Sequence, residues 1–125
     1  MIKLIQCIAR NPELSVPEFR SHLVEYRDRV QRLADALDAV RVTVCPTLQV
    51  EQNLELMLSR GTREPFDAVV AIWLERAPDL LAGTDGEGIR ALLDEMRDLQ
   101  RQFMDLTHSS FFFAAEDVVF DRTTN

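Results

Sequence analysis

The chain has 125 residues, of which 46% are hydrophobic and 28% are charged, and its formal net charge is −7. This length and composition predict a single folded domain over residues 1–125 and exclude an intrinsically disordered chain. Phosphate groups bind to basic surfaces, so the acidic balance and the lack of a basic run exclude nucleic acid and anionic membranes as expected partners.

No apolar run approaches the ~18 residues of a transmembrane helix. Residues 1–7 are too short and too polar for a signal peptide, so we expect a cytoplasmic protein. The two cysteines, Cys7 and Cys45, form neither a disulfide framework nor a CxxC pair. Free cysteines are usually buried, so the sequence predicts two buried structural thiols. Because the cysteines form no CxxC pair, we expect no metal site, and we also expect no cofactor.

The first two predicted elements are a strand and a long helix. Residues 2–9 alternate in the manner of a β-strand. Ser15 and Glu18 then have the spacing of a capping box, and Pro17 is tolerated in the first helical turn. The helix is predicted to continue to Leu37 because apolar residues recur every three or four positions. They are Phe19, Leu23, Tyr26, Val30, Leu33 and Leu37, with Ala34 beside them.

The middle of the chain predicts two further strands separated by a short helix. Residues 39–48 are rich in β-branched residues, and Pro46 places this strand at a sheet edge. A short helix is predicted over residues 50–59 and ends at Gly61. Residues 65–75 form the third predicted strand, which carries apolar side chains on both of its faces.

The last third of the chain predicts a loop, a second long helix and a final strand. Pro78–Leu81 is predicted to form a helical turn, and glycines 83, 86 and 88 mark the loop. The helix is predicted over residues 87–106, with an apolar stripe again at helical spacing. The final strand is predicted over residues 109–120, with a bend near Glu116.

The resulting βαββαβ order predicts an α+β fold of ferredoxin-like build, with a four-stranded antiparallel sheet and two helices on one face. The other face would expose apolar residues of the third strand, which soluble monomers rarely tolerate. We therefore expect a homodimer in which two sheets pack face to face. The alternative is that the segment 49–64 folds over this face.

Several segments, taken in order, resemble the EthD family, named for a protein tied to ethyl tert-butyl ether degradation. They are Met1–Ile5, the helix start Ser15-x-Pro17-Glu18-Phe19, the Pro65–Glu75 strand with its Trp73, and the tract Asp94-Glu95-Met96 … Phe103-Met104-Asp105-Leu106 … Glu116-Asp117-Val118-Val119. The resemblance covers nearly the whole chain. It implies a dimeric α+β barrel and a small enzyme acting on organic molecules, without a general metal requirement.

The first helix supplies three candidate catalytic residues. Tyr26 lies in the apolar stripe, and its phenol requires a hydrogen-bond partner if buried. His22 lies one turn earlier and is suited to proton exchange near neutral pH. Many EthD relatives carry a Tyr-Trp pair and then a His on this helix, whereas the matching positions here are His22, Leu23 and Arg27. The proposed roles are proton shuttle for His22, hydrogen-bond donor for Tyr26 and anchor for negative charge for Arg27. The alternatives are a core tyrosine and two surface side chains.

Asp105 and His108, at the predicted end of the second helix, complete the candidate catalytic set, with Asp105 orienting His108. The alternative is a simple helix-end interaction. Trp73, Phe111 and Phe113 are candidates for an apolar ligand wall. Aromatic residues at strand spacing are also common in cores and interfaces.

Together these features predict a cofactor-independent isomerase, lyase or dehydratase that performs acid–base chemistry on an apolar carbonyl or lactone metabolite in catabolism or tailoring. The expected partners are a second copy of the chain and a small apolar or aromatic molecule. One alternative is a non-catalytic ligand-binding or accessory protein of the same fold. A further alternative is a haem-using monooxygenase, which would need His22 or His108 as the iron ligand.

Overall fold

The computed structural model of the chain describes residues 1–78 and 87–123. These residues contain four strands, three α-helices and one 3₁₀ turn. In chain order they are β1 (Ile2–Ile8), α1 (Val16–Ala36), β2 (Arg41–Pro46), α2 (Glu51–Arg60), β3 (Ala68–Leu74), α3 (Glu87–Phe103), the 3₁₀ turn Leu106–His108 and β4 (Ser110–Ala115). The strands form one antiparallel sheet in the order β2-β3-β1-β4. The predicted element order and the edge position of the second strand are confirmed.

Local sequence signals account for how the helices begin and end. Ser15 Oγ accepts a hydrogen bond from the Glu18 N–H (3.2 Å), and the Glu18 carboxylate accepts one from the Ser15 N–H (3.0 Å). The predicted capping box is therefore confirmed, and its hydrogen bonds lower the pKa of Glu18. Gly61 ends α2 in the left-handed region, with a φ of 66° that glycine adopts without strain.

The core lies between α1, α3 and one face of the sheet. The predicted stripe of α1 is buried, except that Leu37 is only partly covered. Burying an apolar stripe against a sheet face is what holds a long amphipathic helix in place. The remaining buried apolar residues come mainly from the two central strands and from the inner side of α3. They include Leu4, Ile8, Val70, Ile72, Met96, Leu99 and Phe103.

Three predicted boundaries are wrong by three residues or more. The third strand begins at Ala68 rather than at residue 65, and the other two errors have a pairing explanation. The helix predicted to reach residue 106 ends at Phe103, because Met104 forms an antiparallel bridge with Arg10. The strand predicted to reach residue 120 ends at Ala115. The Glu116 N–H donates to Met1 O (2.9 Å). Because β1 begins at Ile2, β4 has no further partner in β1 beyond this point. The predicted turn and glycines at residues 79–86 lie outside the described residues.

The side of the sheet turned away from α1 and α3 is here called the open face. Residues paired across an antiparallel sheet project to the same side. The pairing therefore places Ala71 at the centre of the open face, between Ile5 and Thr43. Its other members are Lys3, Cys7, Arg41, Cys45, Val69, Trp73, Ser110, Phe112 and Ala114. The two-faced apolar character predicted for the third strand is confirmed.

Helix α2 does not pack into the core. It buries none of its own side chains, and Leu54 and Met57 border a cleft with Val16 and Thr47. The open face keeps partly exposed apolar residues such as Val69. The expectation of two buried thiols is wrong for Cys45, which is exposed, whereas partial burial raises the pKa of Cys7. Among the described helices, none is both long and apolar enough to span a bilayer.

Candidate functional site

Tyr26 is fully enclosed in the core. Its side chain has 0% exposure, and its ring centroid lies 5.4 Å from that of Phe103. The hydroxyl donates to Gln6 Oε1 (2.7 Å) and accepts from Gln100 Nε2 (2.9 Å). Both hydrogen-bonding capacities of a phenol are thus satisfied inside the protein. The hydroxyl joins β1, α1 and α3 in one buried polar contact.

Burial raises the pKa of Tyr26 to about 12, although the hydrogen bond donated by Gln100 acts in the opposite direction. The folded-state pKa lies above the unfolded value of about 10. The resulting stabilisation is on the order of 3 kcal/mol. It is complete below pH ~10 and is lost as the pH rises through 12.

We predict an alkaline loss of stability that depends on Tyr26. The chain has one tyrosine, so tyrosinate absorbance near 295 nm reports this group alone. Ionisation is expected about two pH units above that of free tyrosine, together with unfolding measured by circular dichroism. Tyr26→Phe should remove the absorbance change and cost ~1–3 kcal/mol at neutral pH, because Gln6 loses its partner. Tyrosinate appearing at pH 10 without unfolding would contradict the prediction.

The other two candidates on α1 take no part in the hydrogen bonds of the Tyr26 hydroxyl, and only His22 shares the Phe103 contact with Tyr26. His22 is partly buried and stacks on Phe103, with ring centroids 5.8 Å apart and planes at 16°. Arg27 is exposed and makes no hydrogen bond or ion pair within the described parts of the chain. Successive helical residues are rotated by ~100°, so Tyr26 at the centre of the buried stripe leaves Arg27 on the flank. The structure does not gather these three side chains around one ligand position.

Asp105 and His108, by contrast, form a close pair. The Asp105 Oδ2 to His108 Nδ1 distance is 2.7 Å, and the side chains are 25% and 60% exposed, respectively. An ionised carboxylate can only accept, so Nδ1 carries the proton and Nε2 is left as the free basic nitrogen. The arrangement fits the predicted role of Asp105 in orienting His108. The pair lies on the 3₁₀ turn after α3 rather than on the helix itself.

Backbone and hydroxyl contacts hold this pair against the end of β1. The Asp105 N–H donates to Ala9 O (2.8 Å). Ser109 Oγ accepts from the Ala9 N–H (2.9 Å) and donates to Asp105 O (2.8 Å). Because β1 is a central strand of the sheet, Asp105 is attached through Ala9 to the end of a strand that is paired on both sides.

His108 borders an open cleft of about 440 Å³, here called the His108 cleft. The cleft is also lined by the segment 63–67 and by Ala9, Arg10 and Pro12. The Arg10 N–H donates to Asp67 Oδ2 (2.7 Å), and Arg10 Nε lies 3.7 Å from Asp67 Oδ1. Arg63 makes no ion pair within the described residues, so it is available to an anionic group in the cleft.

A second, smaller cleft of about 290 Å³ adjoins the first and is lined by α2. The two clefts share Arg10 and residues 64–67 in their linings. The second cleft adds apolar walls from Leu54 and Met57. A small molecule with an apolar body and a polar reacting group matches this combination of surfaces.

The three predicted wall residues do not share a surface. Trp73 lies on the open face, where its ring is approached by Lys3 Nζ (4.2 Å) and Arg41 Cζ (4.8 Å). Phe111 and Phe113 are paired with Gln6 and Leu4, so they lie on the helix side of the edge strand β4 and are half exposed. The register therefore puts Trp73 on one side of the sheet and the two phenylalanines on the other.

Sequence reasoning missed the groups that complete these sites. Gln6 was recoverable, because alternation along β1 places it between Leu4 and Ile8 on the core side. Gln100 and the Arg10–Asp67 pair had no such signal, because each depends on contacts between distant segments. Within residues 1–78 and 87–123, no three His, Cys, Asp or Glu side chains are grouped in a way that would hold a metal ion.

Comparison with known proteins bears on the fold alone. No family model matches the chain, and no curated protein matches its sequence. Among solved structures, the chain is similar to a dimeric protein of unknown function and ferredoxin-like fold from Bacteroides fragilis NCTC 9343. The TM-score is 0.58 at 8% sequence identity, over 90% of this chain and 93% of that chain. The predicted ferredoxin-like fold is confirmed.

Proposed function

We propose that the chain is a homodimeric, EthD-like enzyme of the cytoplasm that moves a proton on an apolar carbonyl or lactone substrate in the His108 cleft. The observation that carries this proposal is the 2.7 Å contact between Asp105 Oδ2 and His108 Nδ1 at the rim of that cleft. A carboxylate-oriented imidazole with a free Nε2 is suited to general base and general acid catalysis near neutral pH.

The proposed reaction uses the residues that line the cleft. His108 Nε2 takes a proton from the carbon next to the substrate carbonyl and then returns it to the same or a conjugated carbon. The developing enolate charge lies against Arg63, because the Arg10 guanidinium already donates to Leu14 O and lies 3.7 Å from Asp67 Oδ1. This proposal moves the charge-anchoring role from Arg27 to Arg63 and leaves Tyr26 with a core role.

The test is proton exchange measured by ¹H NMR in D₂O on a panel of unsaturated lactones and ketones, including α-angelica lactone. His108→Asn is expected to lower the exchange rate by roughly 10²–10⁴-fold, because the general base is removed. The chain's other histidine supplies the control. If His22→Asn lowers the exchange rate and His108→Asn does not, the proton shuttle is His22 on α1 rather than His108.

The second candidate function is a non-catalytic ligand-binding or accessory protein. The half-open position of His108, whose side chain is 60% exposed, favours it, since catalytic groups usually work where water is excluded. Chemical-shift changes at the His108 cleft upon addition of the same lactones, without any proton exchange, would support this function over the enzymatic one.

The homodimer in this proposal rests on the open face. A sheet with apolar residues such as Val69 left uncovered is stabilised by a second copy of the same face. The Bacteroides fragilis protein of similar fold is described as dimeric, which supports the proposal of a homodimer.

A further inference from the structure

The segment that follows β4 carries three consecutive exposed apolar side chains, and one of them, Val119, is the most exposed large apolar residue of the described chain. Val118, Val119 and Phe120 are 61%, 90% and 71% exposed, respectively. Single exposed apolar residues are ordinary, but three consecutive ones form a patch that a soluble protein usually covers. We call residues 117–123 the arm.

The arm starts at the rim of the open face. The Glu116 N–H donates to Met1 O (2.9 Å), which ties the backbone to the start of β1. The Glu116 carboxylate accepts a hydrogen bond from Trp73 Nε1 and lies 4.0 Å from Lys3 Nζ. Trp73 and Lys3 both belong to the open face, so these contacts place the Glu116 carboxylate on that side of the sheet, where the arm begins.

The far end of the arm is also ordered by local contacts. Asp121 Oδ1 accepts from the Thr123 N–H (2.7 Å) and from Thr123 Oγ1 (2.6 Å), as in an Asx turn. The Arg122 guanidinium lies 4.9 Å from the centre of the Phe120 ring. The arm thus begins after the hydrogen-bonded Glu116 and ends in the turn formed by Asp121 and Thr123, and its apolar residues lie between these two points.

We infer that the arm packs on a second copy of this chain and buries Val118, Val119 and Phe120 against it. This inference rests on the homodimer proposed above. Packed sheets lie ~10 Å apart. Residues 118–120 lie two to four positions beyond Glu116, so an extended arm reaches about 7–14 Å from that point. The reach of the arm therefore matches the distance to a second sheet stacked on the open face.

The arm's own subunit does not cover these three side chains, as their exposures show. A second copy stacked on the open face would border the rim at which Glu116 sits. Each copy would then extend one arm over the other, and the two-fold symmetry of a homodimer would bury both arms at once.

The test compares two matched double variants of the full chain by sedimentation equilibrium. Val119→Ser with Phe120→Ser is expected to raise the dimer dissociation constant by roughly tenfold or more, because the burial of two apolar side chains in the dimer is lost. The control is Leu56→Ser with Leu58→Ser on α2, where Leu58 is as exposed as Phe120, at 71%. The control is expected to leave the dissociation constant unchanged.

A second measurement needs no substitution. Mixed dimers of ¹³C-methyl-labelled and unlabelled chain should give isotope-filtered NOEs from the methyl groups of Val118 and Val119 to the unlabelled partner. Absence of these NOEs, together with an unchanged dissociation constant in the arm variant, would overturn the inference while the homodimer stands. A monomeric wild-type chain would overturn the homodimer itself.

Discussion

Ala71→Arg is expected to convert the proposed dimer into a monomer. Ala71 lies at the centre of the open face, recessed between Ile5 and Thr43. In a single chain, the arginine side chain can extend from this face into water, so the fold should survive. In a face-to-face dimer, the guanidinium would be buried without a partner. We expect the dissociation constant to rise by roughly a hundredfold or more.

Sedimentation velocity and circular dichroism together check this result. The wild type should sediment at twice the mass of the 14.3 kDa chain, and the variant at the mass of one chain with an unchanged spectrum. Val24→Arg is the control, because Val24 is exposed on α1, on the other side of the sheet from the open face. A dimer of equal affinity in Ala71→Arg would show that the copies meet elsewhere.

Phe103→Ala is expected to cause the largest loss of folding stability of any substitution discussed here, about 3–5 kcal/mol. Phe103 has no exposed surface and is surrounded by the rings of Phe19, His22 and Tyr26, with centroids within 5.4–5.8 Å. Removing the ring leaves a cavity where α1 meets α3, and rigid aromatic neighbours can fill it only in part. Aromatic pair contacts are lost in addition.

Urea unfolding at one fixed protein concentration measures this loss, since dimerisation alters apparent stability with concentration. Phe113→Ala is the matched control, because it deletes the same atoms from a half-exposed position on the edge strand β4. Its cost should be well under half that of Phe103→Ala. Equal costs for the two variants would mean that the contact of α1 with α3 is not the centre of the core.

The elements of the fold were predictable because their signals are local. The Ser15–Glu18 capping box, the stripe of α1 and Gly61 after α2 each depend on residues within a few positions of one another. Where the prediction was wrong at the ends of α3 and β4, a distant strand intervened: Arg10 ends α3 by pairing with Met104, and Met1 receives the last bond of β4. Such pairings leave no periodic pattern in the chain.

The candidate site shows the same division. The sequence by itself determined that Tyr26 belongs to a buried stripe and that Asp105 and His108 are close enough along the chain to meet. Periodicity and short spacing express the geometry of one helix or turn. Only the tertiary structure decided that Gln6 and Gln100 satisfy the Tyr26 hydroxyl, that Trp73 faces away from Phe111 and Phe113, and that His108 borders a cleft with Arg63. Those relations arise from strand register and from the packing of segments far apart in sequence, which no local pattern encodes.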